Sequence, residues 1–130
     1  MAAPEFSVVV PTFQRRDLVV ALVQSLAAQE GGISFECIVV ADGSTDGSAA
    51  ALKALSVPFP FSVVEQANAG ASSARNHGAR LARGRYLLFI DDDMEAHPQL
   101  LAEHQRSHQA GADVVPVSYT HLTLPTILRV

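Results

Sequence analysis

The chain has 130 residues, of which 48% are hydrophobic and 17% charged, and its net charge is −4. This length fits one compact domain, and the apolar share supports a real core and excludes a disordered composition. The acidic balance offers no basic stripe for nucleic acid, and no apolar run approaches the ~18 residues of a membrane span.

Met1 to Phe6 lacks a basic n-region and an apolar h-region, so no signal peptide is read there. Phe6-Ser7-Val8-Val9-Val10 is a β-branched run ended by Pro11, which predicts a first buried strand. Asp17 fits the first turn of a helix whose apolar face is Leu18, Val19, Leu22, Val23 and Leu26, closed by Gly31-Gly32. Phe35 to Ala41 predicts a second strand, broken at Asp42-Gly43-Ser44-Thr45-Asp46-Gly47. Cys37, the sole cysteine, falls inside that apolar run and reads as a buried core residue, compatible with a reducing cytoplasm. Asp46 is a candidate N-cap for a short helix from Ala49 to Leu55, which stops before Pro58.

Phe61 to Val64 predicts a third strand, Asn68-Ala69-Gly70 a turn, and Ala71 to Ala82 an Ala/Arg-rich helix closed by Arg83-Gly84. Arg80, Arg83 and Arg85 read as solvated charges, and His77 as a packing residue with an approach to the site as the alternative. Tyr86 to Ile90 is an apolar run suited to a strand buried on both faces. Pro98 opens another helix through roughly Gln109, with His104 and His108 read as an exposed face, and Asp113-Val114-Val115 begins a fifth strand. Strands alternating with helices at this rhythm predict an α/β domain, its mainly parallel sheet covered by helices on both faces.

Asp91-Asp92-Asp93 follows the fourth strand directly. Three crowded carboxylates repel one another, and a divalent cation relieves the repulsion. Oxygen donors in this number suit Mg²⁺ or Mn²⁺, held by one or two carboxylates while substrate phosphates complete the shell. Ligands of open α/β sheets bind outside the carboxyl ends of the strands. Those ends carry Pro11-Thr12-Phe13, Asp42-Gly43-Ser44 and Asp91-Asp92-Asp93, which should converge on one edge. There Asp42 could accept hydrogen bonds from a base imide or a ribose hydroxyl. Asp93 could hold the metal, Asp91 and Asp92 could divide metal and ribose duties, and Arg75 could reach a phosphate or order the acidic loop.

Four segments, Ser7 to Phe13, Val39 to Gly47, Asn68 to Gly78 and Gly84 to Asp93, resemble family 2 glycosyltransferases. The resemblance runs from about Phe6 to Val115 in the family's order. It implies a Rossmann-like GT-A nucleotide-diphospho-sugar transferase fold, incomplete here, a nucleotide-diphosphate sugar donor (often a UDP-sugar), Mg²⁺ or Mn²⁺, and inversion at the anomeric carbon. Carried across residue by residue, Pro11, Thr12, Phe13 and Asp42 would contact the base, Asp92 the ribose, and Asp93 the metal. Asp91 and Asp93 would be the outer members of the family's Asp-any-Asp motif. Ala41-Asp42 stands where the family usually has two acids. The family's catalytic base and most acceptor contacts come after the fifth strand, so the chain is expected to be a truncated portion that binds donor weakly and transfers sugar negligibly. The acceptor, saccharide or lipid-linked, stays open, and the alternative is a non-catalytic binding fragment or an inert translated one.

Competing motifs fail on particular residues. An EF-hand loop starting at Asp42 needs Glu where Lys53 stands. A dinucleotide fold needs Gly-x-Gly-x-x-Gly where Pro11-Thr12-Phe13-Gln14-Arg15 stands, and a P-loop needs a Gly-Lys-Ser/Thr turn. Val117 to Thr126 has neither helical nor strand periodicity and resembles a translated sequencing-library adapter. The expected division is therefore residues 1–116 as the nucleotide-sugar-binding portion and 117–130 as a non-native tail.

Overall fold

A computed structural model describes residues 4–109, 114–116 and 126–129. Its elements are β1 (Phe6–Thr12), α1 (Arg16–Leu26), β2 (Phe35–Asp42), α2 (Ser48–Lys53), β3 (Phe61–Gln66), α3 (Ala71–Leu81), β4 (Tyr86–Phe89), α4 (Leu100–Gln109), β5 (Val114–Pro116) and β6 (Thr126–Arg129). The sheet order is β3-β2-β1-β4-β6-β5. Strands β1 to β4 are parallel, while β6 lies antiparallel between β4 and β5. The predicted α/β architecture is thus the observed one. Within the adapter-like stretch, 117–125 lie outside the described residues.

The strand pattern explains the two faces. Phe6, Val8 and Val10 of β1, Cys37 and Val39 of β2, and Tyr86, Leu88 and Ile90 pack with Leu22, Leu26, Leu52, Leu100 and Leu101 from α1, α2 and α4. The alternate residues Ile38 and Val40 meet Ala74 of α3 on the opposite face. Gly78 allows that helix to lie close, because a Cβ there would stand 2.4 Å from Val9 Cγ1. Burial pushes the Cys37 thiol well above its ordinary pKa, as a core cysteine requires.

β1 runs on through Pro11 to Thr12 instead of ending at the proline. The Ile90 N–H donates to the Val9 carbonyl, so Val9 and, two residues on, Pro11 both turn toward β4. β4 has left the sheet by then, so the missing proline N–H breaks no ladder bond.

One surface assignment needs correction and another gains a partner. His104 is fully buried, its ring 6.4 Å from that of Phe6, because it continues the stripe of Leu100 and Leu101 onto the core; the His108 side chain lies outside the described residues. The Arg83 side chain is solvated as expected, 68% exposed, but it also has a partner: its main-chain N–H donates to Glu36 Oε2 at 2.6 Å and its guanidinium sits 3.4 Å from Oε1. Glu36 is itself buried and takes the Ser7 hydroxyl at 2.6 Å, while Ser7 Oγ accepts from the Gly84 N–H. Burial pushes the Glu36 pKa up, but the Ser7 hydroxyl and Arg83 outweigh it and leave the carboxyl below its ordinary value. This network clamps the amino ends of β1, β2 and β4. Arg85 lies with its guanidinium carbon 5.4 Å from the centre of the Tyr86 ring.

Candidate functional site

At the opposite, carboxyl end of the sheet, three loops close around one cavity of ≈ 380 Å³. Pro11, Thr12 and Phe13 line it from β1, Asp42 from β2, Arg75 from α3, and Asp91, Asp92 and Asp93 from the segment after β4. Every residue expected from sequence to bind the nucleotide-sugar or its metal therefore meets at a single place. Arg15, Ala71 and Ala74 complete the wall.

Hydrogen bonds between the loops fix this wall. Gln14 adopts a left-handed backbone with φ 54 and is held there from the β2–α2 loop. Its N–H donates to Ser44 Oγ, its side-chain amide donates to Thr45 Oγ1, and its Oε1 accepts from the Thr45 N–H. The residue at the α2 cap position is Gly47, one beyond the predicted Asp46. The Asp46 carboxylate nevertheless serves two helix starts: it accepts from the Ser48 N–H and hydroxyl and from the Arg16 N–H at the head of α1. The Ser48 hydroxyl, chiefly, draws its pKa down.

Asp42 is buried, with its carboxylate largely occupied from inside the protein. Oδ1 accepts from Gln66 Nε2 at 2.9 Å and the Ala69 N–H at 2.8 Å. Oδ2 accepts from the Gly70 N–H at 2.9 Å, with Asn68 Nδ2 at 3.4 Å. The Gln66 amide, first, and the two main-chain N–H groups hold this carboxyl below the usual range. Gln66 Oε1 in turn meets His77 Nδ1 at 2.9 Å, which ties His77 to the site through Gln66. Gly43 enables this close approach, since at φ 77 a Cβ would lie 2.9 Å from Asn68 Cβ.

The acidic run is a tight turn, closed by the Met94 N–H donating to the Asp91 carbonyl. Asp92 points inward and is buried, accepting from the Thr12 hydroxyl at 2.9 Å and Arg15 Nη1 at 3.2 Å. Burial raises its pKa, partly offset by those two donors. Asp91 and Asp93 point outward, their side chains 37% and 53% exposed. Arg75 Nη2 lies 3.5 Å from Asp91 Oδ1 and Arg15 Nη1 3.6 Å from Asp93 Oδ2. Arg15 escaped the sequence reading; its only signal there was a pair of adjacent arginines after a strand whose sheet neighbour ends in acids. Below the turn, Ser25 Oγ accepts from the Ala96 N–H, and the Gln29 side chain bridges the His97 carbonyl and the Leu101 N–H.

Among the described residues no three His, Cys, Asp or Glu side chains form a cluster able to hold a metal ion alone. Asp91 and Asp93 still fit the case in which one or two carboxylates bind Mg²⁺ or Mn²⁺ and ligand phosphates supply the rest.

Comparison with known proteins gives the family. Glycosyltransferase YfnE of Bacillus subtilis is 34% identical over 111 residues, covering 84% of this chain and 28% of that protein. The structure of Staphylococcus aureus TarS residues 1–349 with UDP-GlcNAc superposes with a TM-score of 0.83 at 23% identity, covering 96% of this chain and 45% of that one. The mannosyltransferase PcManGT of Pyrobaculum calidifontis, solved with GDP-Man and Mn²⁺, has a TM-score of 0.74 at 24% identity, covering 89% and 35%. The chain thus carries the GT-A fold and spans less than half the length of these relatives. The family model "Glycosyl transferase family 2" matches residues 7–123, and the chain belongs to that family.

Proposed function

We propose that this chain forms the donor-binding portion of an enzyme that transfers a sugar from a nucleotide-diphosphate sugar, a UDP-sugar first of all, to an acceptor hydroxyl with inversion. The observation that carries the reading is the convergence of Asp42, Asp91 and Asp93 with Phe13 and Arg75 on one cavity. The complexes of TarS with UDP-GlcNAc and of PcManGT with GDP-Man and Mn²⁺ support a nucleotide-sugar ligand and a divalent cation.

In this reading the half-exposed Phe13 ring supplies an apolar face for the base. Asp42 Oδ2, with one strong donor and one long one, keeps acceptor capacity for a base imide or a ribose hydroxyl. Asp92 takes the ribose, and Arg75 a phosphate oxygen. Asp91 and Asp93 hold Mg²⁺ or Mn²⁺, which when bound neutralises charge growing on the departing nucleotide diphosphate. A general base and acceptor wall supplied by the remainder of a full-length relative would complete transfer. The short span relative to YfnE favours a second reading of this chain by itself, a donor binder without turnover.

Calorimetric titration of UDP with Mn²⁺ tests the site. The expected dissociation constant is about 10 μM to 1 mM, or roughly −7 to −4 kcal/mol. Asp93→Ala should abolish the Mn²⁺-dependent heat and leave the melt nearly unchanged, since its half-exposed ion pair is worth at most about 1 kcal/mol. A folded chain that gives no heat, or an Asp93→Ala chain that binds as before, refutes the reading. Radiolabelled sugar transfer at a robust rate by the purified chain would refute the binder-only version.

A further inference from the structure

We propose that Arg15 is a resident counter-ion of the acidic turn: it competes with a divalent cation for Asp93 and, once displaced from that carboxylate, binds the donor diphosphate. The assignment rests on the donor-site reading above and adds to it a residue with two alternating partners.

One guanidinium nitrogen, Nη1, serves two carboxylates of unequal character. Asp92 is buried and 3.2 Å away, whereas Asp93 is half exposed and 3.6 Å away. The first contact offsets the burial of a charge and is costly to lose. The second is a weak, solvent-screened pair that a hard cation can replace. A divalent ion on Asp93 and a guanidinium on the same oxygens would be like charges within about 4 Å, so they cannot share them without strong repulsion. Arg15 therefore yields Asp93 and keeps Asp92.

The backbone beneath Arg15 is fixed while its side chain has room. Gln14 is pinned by Ser44 and Thr45, and the Arg16 N–H by Asp46. The side chain is 49% exposed and borders both the main cavity and a second one of ≈ 310 Å³ against Arg16, Asp17 and Leu18. Held at Asp92 through Nη1 and freed from Asp93, the guanidinium would keep its other N–H donors for a phosphate oxygen of the donor, while Asp93 would hold the cation.

The test uses the full chain with Arg15→Gln and Arg15→Lys, titrated calorimetrically first with MnCl₂ alone and then with UDP at saturating Mn²⁺. Arg15→Gln should bind Mn²⁺ alone about twofold to fivefold more tightly, the worth of a half-exposed ion pair. The same variant should bind UDP about tenfold or more weakly, the worth of a lost hydrogen bond to a charged group. Arg15→Lys, which keeps the charge without the fork, should restore Mn²⁺ competition and recover UDP affinity in part. A purely structural role would weaken both ligands or neither. Mn²⁺ affinity that is unchanged or weaker in a folded Arg15→Gln chain overturns the assignment, and should that variant not fold, Mn²⁺ and UDP affinities in Arg15→Lys both equal to the parent's overturn it. An unaltered chain that takes Mn²⁺ but no UDP ends the donor-site reading itself, and this one with it.

Discussion

Asp42→Asn separates holding a loop from holding a ligand, because asparagine keeps the shape and surrenders one acceptor and the charge. The parent carboxylate takes Gln66 and Ala69 on one oxygen and Gly70 with Asn68 on the other. An asparagine must turn its NH₂ toward one of these pairs, so at least one main-chain N–H faces a donor. Losing a hydrogen bond to a charged acceptor costs about 1.5–3 kcal/mol. The bonds that remain lose their charge assistance, which is roughly half their strength. Ala69 and Gly70 are exposed and recover part of the loss through water, so we expect a net destabilisation of about 2–4 kcal/mol. That is a large part of the ~5–15 kcal/mol that holds a domain together, yet compatible with a folded chain. Urea unfolding at pH 7, followed by circular dichroism, measures it.

Acidification supplies the control. The folded pKa of Asp42 lies below its ordinary value, so its stabilisation is complete above that value and disappears as pH falls through the folded one. Asparagine does not titrate, so the gap between parent and variant should narrow below about pH 4. A gap under about 0.5 kcal/mol at pH 7 would contradict the hydrogen-bond arithmetic. A gap of constant size down to pH 3 would contradict the assignment of the effect to the charged carboxylate.

The remaining predictions concern parts of the molecule away from the cavity. Glu36→Gln should cost about 1–2 kcal/mol at pH 7, because the Ser7 hydroxyl and the Arg83 N–H keep an acceptor that has lost its charge, and the exposed Arg83 guanidinium loses its carboxylate. Its folded pKa is also lowered, so this loss too should fade on acidification, while UDP affinity stays within about twofold. Resequencing the source locus should give a frame that leaves the present one near Pro116. The family match runs to residue 123 and Thr126–Arg129 pair with β4; an apolar tail seats on an open strand edge whatever encodes it. An uninterrupted natural gene coding for residues 117–130 would refute the adapter origin.

The fold was legible because its signals are local. Runs such as Phe6–Val10 and Tyr86–Ile90 are short, β-branched or aromatic and bounded by turn residues, which marks strands buried on both faces, and the Leu22–Leu26 stripe has the period of one helix face. Given β and α in alternation, the strands run parallel, so the loops at their carboxyl ends share one edge. What stayed hidden depends on contacts between distant segments. Nothing near Arg83 announces Glu36, which lies 47 residues away on another strand. Asp42 looked open to a ligand, and only the turn at Asn68–Gly70 shows how much of its acceptor capacity is already used. His104 differs again: taken with His108 it reads as an exposed face, yet its spacing to Leu100 and Leu101 carries it into the core.

The acidic turn shows why composition alone does not define this site. Three consecutive aspartates are chemically equivalent in the sequence, and all three line the cavity, yet the fold makes the middle one a buried group with a raised pKa and leaves its neighbours partly exposed. The difference is one of phase. At one end the Ile90 N–H bonded to the Val9 carbonyl fixes where the strand leaves the sheet, and at the other a buried Met94 closes the turn on Asp91. Between those anchors the chain makes one tight turn, so inserting or removing a residue there would present a different carboxylate to the inside. Thr12 and Arg15 would then face a different aspartate, and the outward pair would no longer flank the cavity. The Ile90 and Met94 anchors therefore hold the site as firmly as the carboxylates that compose it.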